Sequence, residues 1–260
     1  MEYKTIPLEL KDKICQLTMN NPETLNALSD LTLKELSDAL DRIEEDNSVR
    51  VVIVTGAGKA FVAGADIAYM AKLTPEQACK FSRDTGAVYE KIAASQKVFI
   101  AAVNGFALGG GCEFALACDL LIASEKARFG LPEVSLGILP GGGGTQRLPR
   151  LIGGQRAKEM ILTGRTVKAQ EALEIGLVCK VVAPEELMPC AYETAQAILK
   201  NAPLAVKYAR ECVQQSEELT LDAGIEYENT MFGLCFATED QREGMAAFLE
   251  KRAPEFQNGF

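Results

Sequence analysis

The chain has 260 residues, 48% of them hydrophobic, and a formal net charge of −9. That length and apolar share suffice for one large domain or for a domain with a helical appendage, and the negative charge argues against binding to a nucleic-acid backbone or an anionic membrane surface. Histidine is absent, which removes the Ser-His-Asp triad, the Cys-His pair and histidine metal sites, and leaves acid–base work near neutral pH to carboxylates, lysine, tyrosine or cysteine.

Two short alternating runs, Ile6 to Leu10 and Ile14 to Met19, flank the charged Lys11-Asp12-Lys13 and predict a hairpin. Leu33, Leu36, Leu40 and Ile43 then recur at helical spacing, and VRVVIVTG, ending at Gly56, reads as a buried parallel strand. The glycine-punctuated loop GAGKAFVAGAD follows. Thr74-Pro75-Glu76-Gln77 then supplies an N-cap, a proline at the first helical position and a capping-box glutamine, so a helix is predicted from there to about Ser95. VFIAAVNG is another buried strand, NGFALGGGCEFALA turns from it into a short helix ending near Cys118, and DLLIAS is a third strand of this kind. The segment from Phe129 to Gln146, FGLPEVSLGILPGGGGTQ, reads as a long loop.

Beyond Arg147 the pattern becomes mainly helical. A helix spans Ala169 to Ile175, a short strand Leu177 to Val182, and further helices begin near Pro184, Pro203, Leu221 and Thr238. There is no internal repeat and no low-complexity linker. Alternating β and α followed by helices predicts an α/β layered core, with connections over both sheet faces. The eight scattered cysteines, with no C-x-x-C pair and no signal peptide before them, read as reduced small hydrophobes of a cytoplasmic protein. No apolar run reaches the length of a membrane span.

The glycine loops invite a phosphate-cradle reading that their spacing does not support. GAGK at Gly56 to Lys59 lacks the P-loop gap and hydroxyl, and neither GGGCEF nor GGGGTQ fits G-x-G-x-x-G. Any one of these glycines is explained by a tight turn; three such loops in one α/β region point to backbone approaching a ligand, with N–H groups at Gly109 to Gly111 where an oxyanion would be stabilised. Glu113 either complements the start of its helix or faces that site. Glu133, in GLPEVSLG, is either an exposed loop charge or a second site carboxylate. If the two converge in a dry pocket, their pKa values split and a water can be held between them.

FVAGADI, AAVNGFALGGGCEFALACDLLIAS and ARFGLPEVSLGILPGGGGTQRLPRLIG together resemble the crotonase (enoyl-CoA hydratase/isomerase) superfamily. NALS, TGRTVKAQEALEIGLV and AFLEKRAPEF extend the likeness over nearly the whole chain, and bacterial short-chain hydratases are the nearest in look. The resemblance implies an α/β crotonase-fold spiral of ββα turns over residues 1–200, with a C-terminal helical trimerisation region over residues 201–260. It implies a homo-oligomer, a trimer or a hexamer of paired trimers, acting on an acyl-CoA thioester. No cofactor or metal is implied, because coenzyme A is part of the substrate.

By the same resemblance Ala65 and Gly110 supply the two N–H groups of an oxyanion hole, Glu113 and Glu133 are the catalytic pair, and Gly141 helps to hold the water. Leu25, Asn26 and Ala27, the run Ala63, Gly64, Asp66, Ile67 and Ala68, and Phe248 and Lys251 of a neighbouring subunit are expected to meet the CoA moiety. Ala68 departs from the family pattern, in which many relatives carry a lysine; Lys59, Lys251 or water is then left to meet a CoA phosphate, and solvated surface charge is the plainer reading of Lys59. Phe106, Leu108, Phe114, Leu116, Leu136, Ile138 and Leu139 are candidates for the acyl pocket, each also explicable as core. The implied reaction is reversible hydration of short-chain trans-2-enoyl-CoA. The alternatives are a Δ3-Δ2 enoyl-CoA isomerase, another acyl-CoA lyase of this fold, or a non-catalytic acyl-CoA-binding protein.

Overall fold

A computed structural model describes residues 3–257. The hairpin expected at the start is β1 (Leu8–Lys11) against β2 (Ile14–Met19), joined by Asp12 and Lys13, both at positive φ. Two such residues are what a tight hairpin with right-handed strand twist requires. After α1 (Asp30–Glu45), whose Ser29 cap accepts from the Thr32 N–H at 3.1 Å, the chain runs through three consecutive pairs of strands. These are β3 (Val51–Gly56) with β4 (Ala60–Val62), β5 (Val98–Val103) with β6 (Phe106–Leu108), and β7 (Leu120–Ser124) with β8 (Arg128–Gly130). The first pair is followed by α2 (Ile67–Met70) and α3 (Pro75–Ala93), the second by α4 (Gly110–Leu116), and the third by a 3₁₀ turn (Pro132–Leu136) and α5 (Gly144–Ile152). The spiral of ββα turns is thus present.

One strand of each pair enters each of two sheets. The larger has the order β1-β2-β3-β5-β7-β10, parallel except for the opening hairpin, with β10 at Lys180–Val182. The smaller has the order β4-β6-β8-β9, closed by antiparallel β9 (Thr166–Lys168), which follows α6 (Gly154–Thr163). β3 and β5 are buried along almost their whole length, which explains their unbroken apolar runs. Phe61, Phe99, Phe114 and Phe129 are fully buried between the layers, each contributing about 1.5–3 kcal/mol by leaving water.

Several details depart from the sequence reading. The first strand starts at Leu8 and not Ile6, and the strand expected at Leu177 starts at Lys180. Phe129–Gln146 is not one loop: it holds the end of β8, the 3₁₀ turn and the start of α5. The strands of the smaller sheet are three residues long, too short for an alternating pattern to mark them. The capping box on α3 is present, Thr74 Oγ1 accepting from Gln77 N–H and Gln77 Oε1 from Thr74 N–H.

α7 (Ala169–Glu174) and α8 (Leu187–Leu199) follow, and the chain divides into two compact units within α8, between Glu193 and Thr194. The second unit carries α9 (Pro203–Gln215), α10 (Leu221–Cys235) and α11 (Glu239–Glu250), with α9 packed on α10. None of the eight cysteines forms a disulfide. Burial pushes the Cys112 thiol up to about 12, so it stays neutral. No helix among the described residues is long and apolar enough to cross a membrane.

Candidate active site

β4 and β6 run parallel, and the segments leaving their C-terminal ends form one wall of a cavity of about 470 Å³. This is where open parallel sheets commonly seat ligands. Ala63, Gly64, Ala65 and Ile67 line it after β4, and Gly109, Gly110 and Glu113 after β6. Glu133, Gly141 and Gly142 come from the third turn, and one face of α3 supplies Ala78, Phe81, Ser82 and Thr85. Asn26 and Asn104 brace the loop behind this wall. The Asn26 amide donates to Ala57 O, Ala60 O and Phe61 O, and that of Asn104 to Gly58 O and Ala60 O.

Two backbone donors belong to the lining. Leu28 and Ala65 form a parallel bridge in which Leu28 N–H donates to Gly64 O at 2.9 Å and Asp66 N–H to Leu28 O at 3.2 Å. Such a bridge directs the N–H of its central residue, Ala65, away from Leu28. Gly110 is the first residue of α4, where an N–H has no intrahelical acceptor. Its neighbour Gly109 has φ +53, and a Cβ there would stand 2.9 Å from Glu133 Oε1. Glycine is therefore required both by the backbone turn and by the carboxylate beside it.

Glu113 is 2% exposed, and its Oε1 accepts from Gly142 N–H at 2.8 Å and Gly144 N–H at 2.7 Å. Burial raises its pKa, while the Gly144 and Gly142 amides and then the charge of Arg147 oppose that rise. Glu133 has no comparable anchorage; its Oε2 is buried without a hydrogen-bond partner among the described residues. Burial is the largest cause that pushes its pKa up to about 7, its own backbone amide pulls down, and the Glu113 charge adds to the rise. The pair thus faces one cavity in unlike surroundings: a shared proton favours Glu133, and charge favours Glu113.

Side chains behind the site hold it in place, and the sequence reading did not single them out. Tyr89 Oη donates to Gly110 O at 2.7 Å, and its ring stacks on Phe114 at 5.8 Å. Burial raises the Tyr89 hydroxyl well above its ordinary value, so it remains a donor. Arg147 donates through Nη1 to Gly142 O at 3.1 Å and through Nη2 to Glu90 Oε1 at 2.5 Å. Ser82 Oγ donates to Gly141 O at 2.6 Å. The available signal was the α3 series Ser82, Thr85, Tyr89 at helical spacing.

The remaining expected residues are placed as follows. Leu25 and Asn26 both have positive φ, Asn26 being buried and Leu25 exposed; Ala27 is half-buried, and none of the three lines the cavity. Asp66 caps α2 by accepting from Tyr69 N–H, and Ala68 is exposed. Leu108, Leu136, Ile138 and Leu139 line the cavity; Phe106 does not, and Phe114 and Leu116 are buried in the core. Phe248 and Lys251 belong to the second unit, Phe248 being 83% exposed and Lys251 ending α11 at φ +56. Lys59 is exposed. The described residues hold no group of three or more His, Cys, Asp or Glu suited to a metal ion.

Residues 9–259 match the family described as enoyl-CoA hydratase/isomerase. A short-chain-enoyl-CoA hydratase of Clostridium acetobutylicum is 50% identical over 98% of this chain and 98% of its own. A crotonyl-CoA hydratase of Syntrophomonas wolfei is 49% identical over 98% of this chain and 99% of its own. Among solved structures, an enoyl-CoA hydratase of Bacillus anthracis superposes with a TM-score of 0.94 at 43% identity, covering 97% of this chain and 99% of the other.

Proposed function

The chain belongs to the enoyl-CoA hydratase/isomerase family, and we propose that it is a hydro-lyase that reversibly adds water to short-chain trans-2-enoyl-CoA, crotonyl-CoA included. The observation that carries this reading is the pair of unlike carboxylates, Glu113 and Glu133, in the lining of one cavity beside two backbone donors.

Charge that builds on the thioester oxygen as the double bond is attacked is met by the N–H groups of Ala65 and Gly110. With Oε1 of Glu113 occupied by two amides, its Oε2 is the oxygen left to take a proton from water. The hydroxide equivalent bonds to the β-carbon, the electron pair of the double bond moves towards the carbonyl, and Glu133 delivers its proton to the α-carbon. Dehydration runs the same steps backwards. Gly141 helps to hold the water, supported by the Ser82 bond that fixes its peptide.

Coenzyme A lies against Leu25, Asn26, Ala27, Ala63, Gly64, Asp66, Ile67 and Ala68 in this reading, with Phe248 and Lys251 supplied by a neighbouring subunit. The helical C-terminal region mediates assembly into a trimer or a pair of trimers. Support comes from its exposed apolar side chains, such as Leu221, Phe232 and Leu249, which a lone subunit leaves in water.

The test follows loss of the conjugated-thioester absorbance of crotonyl-CoA. Glu113→Gln and Glu133→Gln are each expected to slow hydration by about 10²–10⁴-fold. Unchanged rates in both variants would overturn the two-carboxylate mechanism, and no hydration by the native protein would overturn the activity.

A further inference from the structure

The peptide between Gly141 and Gly142 is held at both of its edges by side chains. Ser82 Oγ, on α3, donates to Gly141 O at 2.6 Å, and the N–H of the same peptide, that of Gly142, donates to Glu113 Oε1 at 2.8 Å. All four residues line the cavity. Other helical hydroxyls of this chain bond the carbonyl one turn back, Thr163 donating to Glu159 O and Thr230 to Glu226 O. Ser82 instead reaches a carbonyl 59 positions along the chain. Among the described residues no backbone–backbone hydrogen bond reaches Leu139, Pro140, Gly141 or Gly142, so this segment takes its hydrogen bonds from side chains.

A peptide flanked by two glycines turns at little cost, because neither Cα carries a side chain to obstruct it. Its C=O and N–H point to opposite sides of one plane, so a rotation that frees Gly141 O from Ser82 also takes the Gly142 N–H off Glu113. We propose that Ser82 is a positioning residue of this site: by fixing Gly141 O it aims the Gly142 amide at Oε1 of Glu113 and keeps Oε2 turned to the reacting water. The Ser82 bond is open to solvent, and water can satisfy Gly141 O in its place; a water follows the oxygen into any orientation, however, and fixes none. Gly144 N–H still holds Oε1 and Arg147 still holds Gly142 O when Ser82 is lost, so the socket is loosened and not emptied. The inference rests on the hydratase reading above and adds to it a residue that acts on Glu113 through a peptide.

The test compares the native protein with Ser82→Ala, which removes the hydroxyl and raises helix propensity, and with Ser82→Thr, which keeps the hydroxyl. Hydration of crotonyl-CoA is followed against pH, and the ionisation of Glu113 is followed by NMR of carboxyl-labelled glutamate, its resonance being the one lost in Glu113→Gln. In Ser82→Ala kcat is expected to fall about tenfold with little change in KM. The acidic limb of kcat/KM and the Glu113 resonance should both move to higher pH, because an amide that favours the charged carboxylate is withdrawn. The charged and titratable groups that face Glu113 are Arg147 from α5, Glu133 from the 3₁₀ turn, Tyr89 from α3 and Cys112 from its own helix, and the substitution removes none of them. Ser82→Thr should return both readings towards native. A Glu113 resonance that stays in place in Ser82→Ala overturns the proposal, as does an equal displacement in Ser82→Thr or a change confined to KM, which reports contact with substrate and nothing more. If the native protein hydrates no enoyl-CoA while the resonance moves as expected, hydration falls and the role of Ser82 stands.

Discussion

The N–H of Gly144 donates to Oε1 of Glu113 at 2.7 Å, joining residues 31 positions apart. The second turn of the spiral supplies the carboxylate and the third turn the amides that hold it, so the glycine run 141–144 is a socket for Glu113.

That socket leaves no room for a side chain. A Cβ on Gly142 would stand 2.6 Å from the Tyr89 ring and 2.8 Å from Glu113 Oε2. Gly142→Ala is therefore expected to destabilise the protein by about 1–3 kcal/mol through overpacking. By displacing Glu113 it should also slow crotonyl-CoA hydration by about 100-fold. Denaturant titration and the absorbance assay measure the two effects separately; native values in both would show that the loop yields at no cost.

The pH response follows from Glu133, whose pKa rises from an ordinary 4.5 to about 7. Between those values the folded protein holds a proton that the unfolded chain releases, so this contribution to stability is present in full below about 4.5 and is lost as pH rises through 7. Glu113, also raised, acts in the same direction. Melting temperature is accordingly expected to fall between pH 5 and pH 8 by more in the native protein than in Glu133→Gln. Hydration should slow as pH climbs past about 7, because the α-carbon then lacks its proton donor. Parallel melting curves for the two proteins would count against the buried proton.

Much of this site was legible in the sequence. Lone carboxylates in apolar, glycine-flanked segments made Glu113 and Glu133 candidates that only the family resemblance paired, and the buried strands β3, β5 and β7 followed from unbroken apolar runs. The supports were not legible. Tyr89 and Arg147 meet Gly110 and Gly142 only after the spiral closes, and the smaller sheet is built from strands too short to carry a period. Local pattern reports which side chain is out of place in its segment; it does not report which backbone group, several turns away, comes to meet it.

Tyr89 tests one of those supports. Tyr89→Phe keeps the ring that stacks on Phe114 and removes the donor to Gly110 O. A stability loss of about 1 kcal/mol is expected, because a half-buried carbonyl loses one of its hydrogen bonds. The same peptide adjoins the proposed oxyanion donor, so kcat should fall more than KM rises. Steady-state kinetics with crotonyl-CoA distinguish this from a purely structural loss, which would leave the folded fraction with native kcat.

Arg147 tests the other. Its guanidinium spans Gly142 O and Glu90, with 19% of the side chain exposed, and its charge holds the Glu113 carboxyl lower than burial alone would. Glu113 must be ionised to accept a proton from water, so the acidic limb of kcat/KM against pH reports its ionisation in the free enzyme. Arg147→Gln removes the charge and is expected to move that limb to higher pH. Arg147→Lys keeps the charge but loses the fork that bridges two acceptors, and should move it less while still lowering the melting temperature. A limb that stays in place in Arg147→Gln would mean that the amides of Gly142 and Gly144 alone set the charge on Glu113.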